Sequence, residues 1–390
     1  MFRLTDLKYP VIQGSMGIGF SWFDLVVAVS KAGGLGTLTT VCIDRLVAWE
    51  TGDKSYKNNW EKSIEYAVDK LRGMLGDIPF GFNIMEKQTK SSEIIELAFK
   101  YKVPSITVGA GFNRRHFKLA EQGDPNHDLN FMYMINGIKA AQITILASKR
   151  KNNRVPDALI LEGPKAGGHN GFRTIREVNA GENSLEGCFE PCRKILHESG
   201  VGIVIAGGIW GPEDWKYWKE KGADCLQAGT AFLGSQEANL DPEVRERLYT
   251  LKEEDIITSD AEIMQPGSPT KFAFKVFSDS PGYLRAQKLE RPVKCSMSGI
   301  LKSDNSCAAH KLDKSNFCIC PPLTRSSGFG EKFQGDTEQF LMTCGSNGYK
   351  IRELATVLND DGQSVPYEAK RVVDWFSGVH NKSPEAEAVN

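Results

Sequence analysis

Short apolar runs alternate with longer stretches of mixed polarity through the first two thirds of the chain. The runs at residues 11–13, 35–40, 80–84, 105–108, 131–135, 158–161, 201–205 and 223–227 read as buried strands. Between them, residues 60–74 carry Ile64, Ala67, Val68 and Leu71 on one helical face, and residues 23–32, 94–101 and 140–149 also read as helices. Strand-then-helix repetition over eight strands predicts an α/β fold, a (β/α)8 TIM barrel, whose post-strand loops meet at one mouth. An open doubly wound sheet is the rival. Glycines recur after most of the strands rather than after the first alone, which favours the barrel.

The alternation stops near Leu240. Residues 241–349 hold charge runs, prolines, glycines and little periodicity, and are expected to be an irregular cysteine-bearing lid or substrate region near the barrel mouth. Helical character returns weakly at residues 351–358 and 367–376. The expected organisation is therefore 1–240 as barrel, 241–349 as the cysteine-bearing region and 350–390 as C-terminal helices and tail. Residues 41–58 exceed a tight βα loop and are expected to form a lid or a partner surface.

Composition narrows the function classes. The 390 residues carry 48 Lys+Arg against 49 Asp+Glu, a net charge of -1. That balance argues against a nucleic-acid or anionic-membrane partner. No apolar run spans a bilayer, and the charged start of the chain lacks a signal-peptide core. A cytoplasmic location follows as the default, with the nine cysteines reduced. Cys295, Cys307, Cys318 and Cys320 lie close in sequence but lack paired CxxC knuckles, so buried or incidental thiols are expected and no metal is assigned.

The chemistry concentrates where strands end. The run 158–161 leads into Glu162-Gly163-Pro164-Lys165-Ala166-Gly167-Gly168-His169-Asn170-Gly171. Its glycines let backbone approach a planar or anionic ligand, and its histidine exchanges protons near neutral pH. Two later strands end in Gly207-Gly208 and Gly229-Thr230, pairs suited to a phosphate at the barrel mouth. His116 and His127 sit in polar stretches and are expected at the surface, while His197 is expected to end a helix.

In this setting the chain resembles the FMN-dependent nitronate monooxygenases (2-nitropropane dioxygenases), relatives of flavin enoyl-ACP reductases. The resemblance rests on Tyr9-Pro10-Val11-Ile12-Gln13-Gly14-Ser15-Met16-Gly17, Ser30-Lys31-Ala32-Gly33-Gly34-Leu35-Gly36, Pro79-Phe80-Gly81-Phe82-Asn83, Gly109-Ala110-Gly111, the His169 loop, Ala206-Gly207-Gly208-Ile209 and Gln227-Ala228-Gly229-Thr230-Ala231-Phe232-Leu233, in family order. It implies that Gln13, Gly14 and Met16 line the flavin, that Asn83 hydrogen-bonds it, and that Glu162, Gly168 and Gln227 also contact FMN. Gly207, Gly208, Gly229 and Thr230 would hold its phosphate and His169 would face the reactive ring. Lys165 departs from the acidic residue of many relatives. Pointing inward, it would favour a neutral His169 and attract an anionic substrate; pointing outward, it would do neither. Phe317-Cys318-Ile319 and Gly345-Ser346-Asn347 resemble a tail found in some members.

The activity implied is FMN-dependent oxidation of alkyl nitronates or nitroalkanes with O2. The alternative within enzymes is an enoyl-ACP or quinone reductase, with NAD(P)H as reductant and an enoyl thioester as one substrate. A third reading is a non-catalytic flavin-binding regulator. Expected partners are the small-molecule substrate and O2, with a homodimer as the candidate assembly.

Overall fold

The computed structural model describes residues 2–150, 153–260, 266–288, 290, 295, 297–301, 306–310, 316–329, 339–355 and 365–379. Eight parallel strands form the barrel: β1 (Val11–Gln13), β2 (Thr37–Thr39), β3 (Gly81–Met85), β4 (Ser105–Gly109), β5 (Asn130–Ile135), β6 (Ala158–Glu162), β8 (Gly202–Ala206) and β9 (Cys225–Ala228), with the two-residue β7 (Gly168–His169) outside it. Neighbours run β1-β9-β8-β6-β5-β4-β3-β2. An Ile12–Leu35 bridge joins the two ends, with Gln13 N–H donating to the Leu35 carbonyl at 2.9 Å and Leu35 N–H to Val11 at 2.9 Å. The (β/α)8 expectation is met.

Side chains alternate across each strand, so parity decides which of them face the barrel axis. Ile12, Leu35, Met132, Ala158, Ile160, Val204, Ala206 and Cys225 pack together as the interior cluster. Their neighbours Val11, Leu159, Leu161, Ile203, Ile205 and Leu226 face the helices instead. Paired residues of parallel strands share a face, and the pairs Thr39–Asn83, Glu162–Ala206 and Ala206–Gln227 extend the interior set to the C-terminal rim. The rim is polar where the core below it is apolar.

The helical layer forms as the periodicity predicts. Trp60–Leu75 starts at Asn59, whose side chain accepts from Lys62 N–H, and buries Ile64, Ala67, Val68, Leu71 and Leu75. Residues 41–58 depart from the expectation of a lid. They contain the helix Ile43–Thr51, which buries Ile43, Leu46, Val47 and Ala48 against Trp60–Leu75. Its apolar positions fit the ring, and only its short length hid the period. His116 is likewise buried rather than at the surface: Nε2 lies 2.9 Å from Glu86 Oε2 and Nδ1 3.5 Å from the Tyr133 hydroxyl. His197 ends Leu185–His197 as expected.

Residues beyond 240 are more regular than their composition suggests. Pro242–Tyr249 and Pro281–Gln287 are helices, and β10 (Ile256–Ser259) and β11 (Phe274–Phe277) form a three-stranded antiparallel sheet with β7. All four residues of β11 are buried, which removes the polar alternation that would mark a strand in the sequence. After β9 comes only the short helix Thr230–Leu233. The helix Ala369–Ser377 packs against both Phe23–Lys31 and Gly211–Glu220 and takes the eighth place in the ring. The 351–358 stretch is a 3-10 turn, Gly348–Glu353, and its last residues lie outside those described. No helix among the described residues is long and apolar enough to cross a membrane.

At the N-terminal ends of the strands, Arg154 is fully buried and contacts Asp124, Asp157 and the Leu129 carbonyl. Asp157 also holds Phe131 N–H at 2.8 Å and Arg3 at 2.7 Å. The buried Arg154 thus bridges two carboxylates beneath the barrel, one of which Arg3 also pairs. Arg154→Ala should lower unfolding stability by about 3–5 kcal/mol, because it strands buried charge. Chemical denaturation checks this; a variant as stable as the wild type would show that the ion network carries no such weight.

Candidate active site at the barrel mouth

The C-terminal ends of the strands open into one cavity of about 530 Å³. That lies within the roughly 300–1,000 Å³ range of cofactor and ligand sites. Gly14, Met16, Asn83, Glu162, Gly168, His169, Gly207, Gly208, Gln227, Gly229 and Thr230 all line it. Gln13 does not. On β1 the interior parity belongs to Ile12, so Gln13 faces away and is fully buried. Its carboxamide is consumed by protein: Nε2 donates to the Gly14 carbonyl (2.6 Å) and Ser21 Oγ (2.8 Å), and Oε1 accepts from Thr37 N–H (3.0 Å). Gln13 therefore holds the Gly14–Met16 turn without reaching the cavity, contrary to its expected place.

His169 is fixed by a strand that arrives a hundred residues later. Gly168 and His169 pair with Lys275 and Phe274 of β11. Gly168 N–H donates to Thr343 Oγ1 at 3.0 Å, and Thr343 Oγ1 donates to the Lys275 carbonyl at 2.6 Å. On the other side, Asn170 N–H reaches the Ala273 carbonyl (2.8 Å) and its Nδ2 the Pro164 carbonyl (2.7 Å), which folds the loop back on itself. The imidazole stands edge-on to Phe274, with ring centroids 5.0 Å apart. Nε2 lies 3.3 Å from Ser268 Oγ, which is itself 2.8 Å from Thr270 Oγ1. Burial drives the His169 pKa down to about 4, so the ring is neutral and can accept a proton at physiological pH.

Glu162 ends β6 on the interior face. Burial raises its pKa to about 8. Its carboxyl and the Asn83 and Gln227 carboxamides line the cavity with no hydrogen-bond partner among the described residues, and the buried Ser15 hydroxyl is likewise unpartnered among them. Unspent polar groups on a polar rim are what a heteroatom-rich ring needs from its walls.

On the neighbouring strand end, beside Glu162, Gly207 and Gly208 adopt φ of 83° and 112°. A Cβ at Gly207 would lie 2.5 Å from the Gly163 carbonyl oxygen, so only glycine lets this turn approach β6. Asn347 Nδ2 donates to the Gly208 carbonyl (2.9 Å). Thr230 Oγ1 accepts from Gly345 N–H (2.9 Å) and keeps its own O–H proton to donate. The turn and the hydroxyl make an anion cradle.

Several lining residues had no signal in the strand pattern. Phe272, Phe274, Ile300, Ile319, Leu323, Thr343 and Cys344 come from beyond 240 and close one wall. Ser268, which touches His169, sits in a stretch without periodicity. Of these later segments, the likeness to a family tail points to Phe317-Cys318-Ile319 and Gly345-Ser346-Asn347, and Ile319, Gly345 and Asn347 line the cavity. Cys295, Cys307, Cys318 and Cys320 border one small void, and none of the nine cysteines is in a disulfide with another described residue. Among the described residues no group of three or more His, Cys, Asp or Glu is placed to hold a metal ion.

Comparison with known proteins agrees with this geometry. The Nitronate monooxygenase family model matches residues 1–264. A probable nitronate monooxygenase of Staphylococcus haemolyticus is 25% identical over 288 residues, 65% of this chain and 73% of that protein. One from Staphylococcus saprophyticus is 26% identical over 302 residues, 70% and 79% of the two chains. Among solved structures, FabK from Thermotoga maritima aligns at TM-score 0.64 and 20% identity over 100% of this chain and 98% of its own. Nitroalkane oxidase from Streptomyces ansochromogenes aligns at TM-score 0.63 and 18% identity, covering 96% of each.

The perturbed Glu162 gives a signed expectation. Its pKa is raised from an ordinary 4.5 to about 8. Its contribution to the stability of the flavin-free protein is then fully present below pH 4.5 and is lost as pH rises toward 8. Glu162→Gln should flatten that slope, as read from denaturation midpoints across pH 5–8. An unchanged slope in the variant would locate the pH dependence elsewhere.

Proposed function

Because the chain belongs to the nitronate monooxygenase family and is a flavin-dependent oxidoreductase, we propose that it binds FMN and oxidises alkyl nitronates with O2, and that His169 admits neutral nitroalkanes to the same site. The observation that carries the proposal is a neutral imidazole, pinned by β11, in the same cavity as a glycine-and-hydroxyl anion cradle. FMN, when bound, supplies the electron acceptor between nitronate and O2. The chain's own residues do the rest.

Gly207, Gly208, Gly229 and Thr230 hold the phosphate through backbone N–H groups and one hydroxyl. Asn83, Gln227 and Glu162 offer their unspent groups along the walls, and Gly14, Met16 and Gly168 leave room for the ring. Glu162, protonated below pH 8, acts there as a donor and adds no negative charge beside an anionic ligand. His169 takes the proton from the carbon bearing the nitro group. Ser268 steadies the ring at Nε2, and Phe274 blocks its rotation. A nitronate has already lost that proton, so for it His169 orients rather than reacts.

Two readouts test the assignment. His169→Ala should cut nitroalkane turnover by roughly 100- to 10,000-fold, the range of a positioned general base, and spare nitronate turnover far more. Equal losses on both substrates would contradict the base role. The wild-type pH profile for nitroalkanes should show no acidic fall due to His169 until pH approaches its pKa of about 4, since the neutral form is the competent one.

A reductase reading draws on a different observation. The mouth is apolar along Phe112, Met134, Ile135, Ala140 and Ile143, with Phe112 40% and Ile143 39% exposed. Such a wall also suits an enoyl thioester, with NAD(P)H reducing the flavin. Anaerobic mixing separates the two. Bleaching of flavin absorbance by nitronate but not by NADH or NADPH supports the monooxygenase; rapid bleaching by a nicotinamide supports the reductase.

A further inference from the structure

We propose that Lys165 is the counter-charge of the FMN phosphate, and that it makes this chain discriminate FMN from uncharged flavins; this rests on the FMN reading above. Lys165 is the one lysine or arginine among the described residues lining the cavity. Its backbone is fixed on the cradle side, where its carbonyl accepts from Ser346 N–H at 3.0 Å. Its stem lies across the glycine turn: Cβ, Cδ and Cγ come within 2.7, 3.0 and 3.3 Å of the point where a Cβ on Gly208 would stand. The stem thus occupies the space that glycine leaves open, and the chain is directed along Gly207–Gly208.

Charge bookkeeping at that end of the cavity is simple. The other groups there are neutral donors: backbone N–H groups, the Thr230 hydroxyl and the Asn347 carboxamide. Neutral donors solvate a phosphate but leave its charge uncompensated. Lys165 makes no ion pair with a described residue, so its charge is unspent. The side chain is exposed, so a hydrated ammonium is held there at little cost, and the aliphatic stem lies along protein.

The alternative use of this charge is an anionic substrate beside His169. The Lys165 stem lies against Gly208, whereas the His169 ring lies against Phe274 and Ser268. The two side chains therefore contact different walls of the cavity.

The test is flavin binding, read without turnover. Flavin-depleted full-length protein is titrated with FMN and with riboflavin, following flavin fluorescence at low and high salt. Lys165→Met keeps the stem and removes the charge. It should weaken FMN binding roughly tenfold at low salt, the scale of one partly solvated charge-assisted contact, and leave riboflavin binding unchanged. Lys165→Arg should restore FMN binding, and the wild-type advantage should shrink as salt rises. Equal effects on both flavins, or none on either, overturn the proposal while leaving FMN binding itself intact. Unchanged FMN affinity with a raised KM for nitronate would reassign the charge to the substrate. A wild-type protein that binds neither flavin would overturn the FMN reading and this inference together.

Discussion

Four residues in two short strands hold the site in place. Gly168 and His169 pair with Phe274 and Lys275, and this contact gives a glycine-rich loop a defined geometry. A loop with Gly163, Gly167, Gly168 and Gly171 has large conformational entropy to lose. Hydrogen bonds from Thr343 and Asn170 and the edge of Phe274 offset that loss. The barrel supplies the mouth; the segment beyond it decides where the imidazole sits.

The electrostatics follow from the same enclosure. Burial makes the two titratable groups nearest the cavity centre neutral by opposite routes, lowering the pKa of His169 and raising that of Glu162. An uncharged lining at these two positions suits a flat, polarisable ring, and the backbone dipoles of the glycine turns suit an anionic group.

Much of this was legible in the sequence, and the misses are informative. Strand spacing and glycine recurrence pointed to the barrel, and most of the resemblance-derived contact residues do line the cavity. Gln13 was misplaced although its parity was readable: Val11-Ile12-Gln13 alternates, and Ile12 belongs to the interior. The expected place of Gln13 rests on the family resemblance, which strand parity here overrides. His116 was placed at the surface because its neighbours are polar, but its partner Glu86 lies thirty residues away and sets its burial. Ser268 and Phe274 could not be read at all. Their role depends on pairing between distant segments, and a four-residue strand buried throughout carries no local signature.

The eighth helix of the ring has a consequence for how the molecule is made. Ala369–Ser377 fills the gap between Phe23–Lys31 and Gly211–Glu220, yet the chain visits the entire cavity wall before reaching it. Seven of the eight outer positions are available early in synthesis; the last arrives late. Until then the two flanking helices present uncovered apolar sides, and the barrel waits on a contact of very long sequence separation. Closure of the ring therefore joins residues near the two ends of the described chain, and the apolar sides of Phe23–Lys31 and Gly211–Glu220 are covered only once that late segment docks.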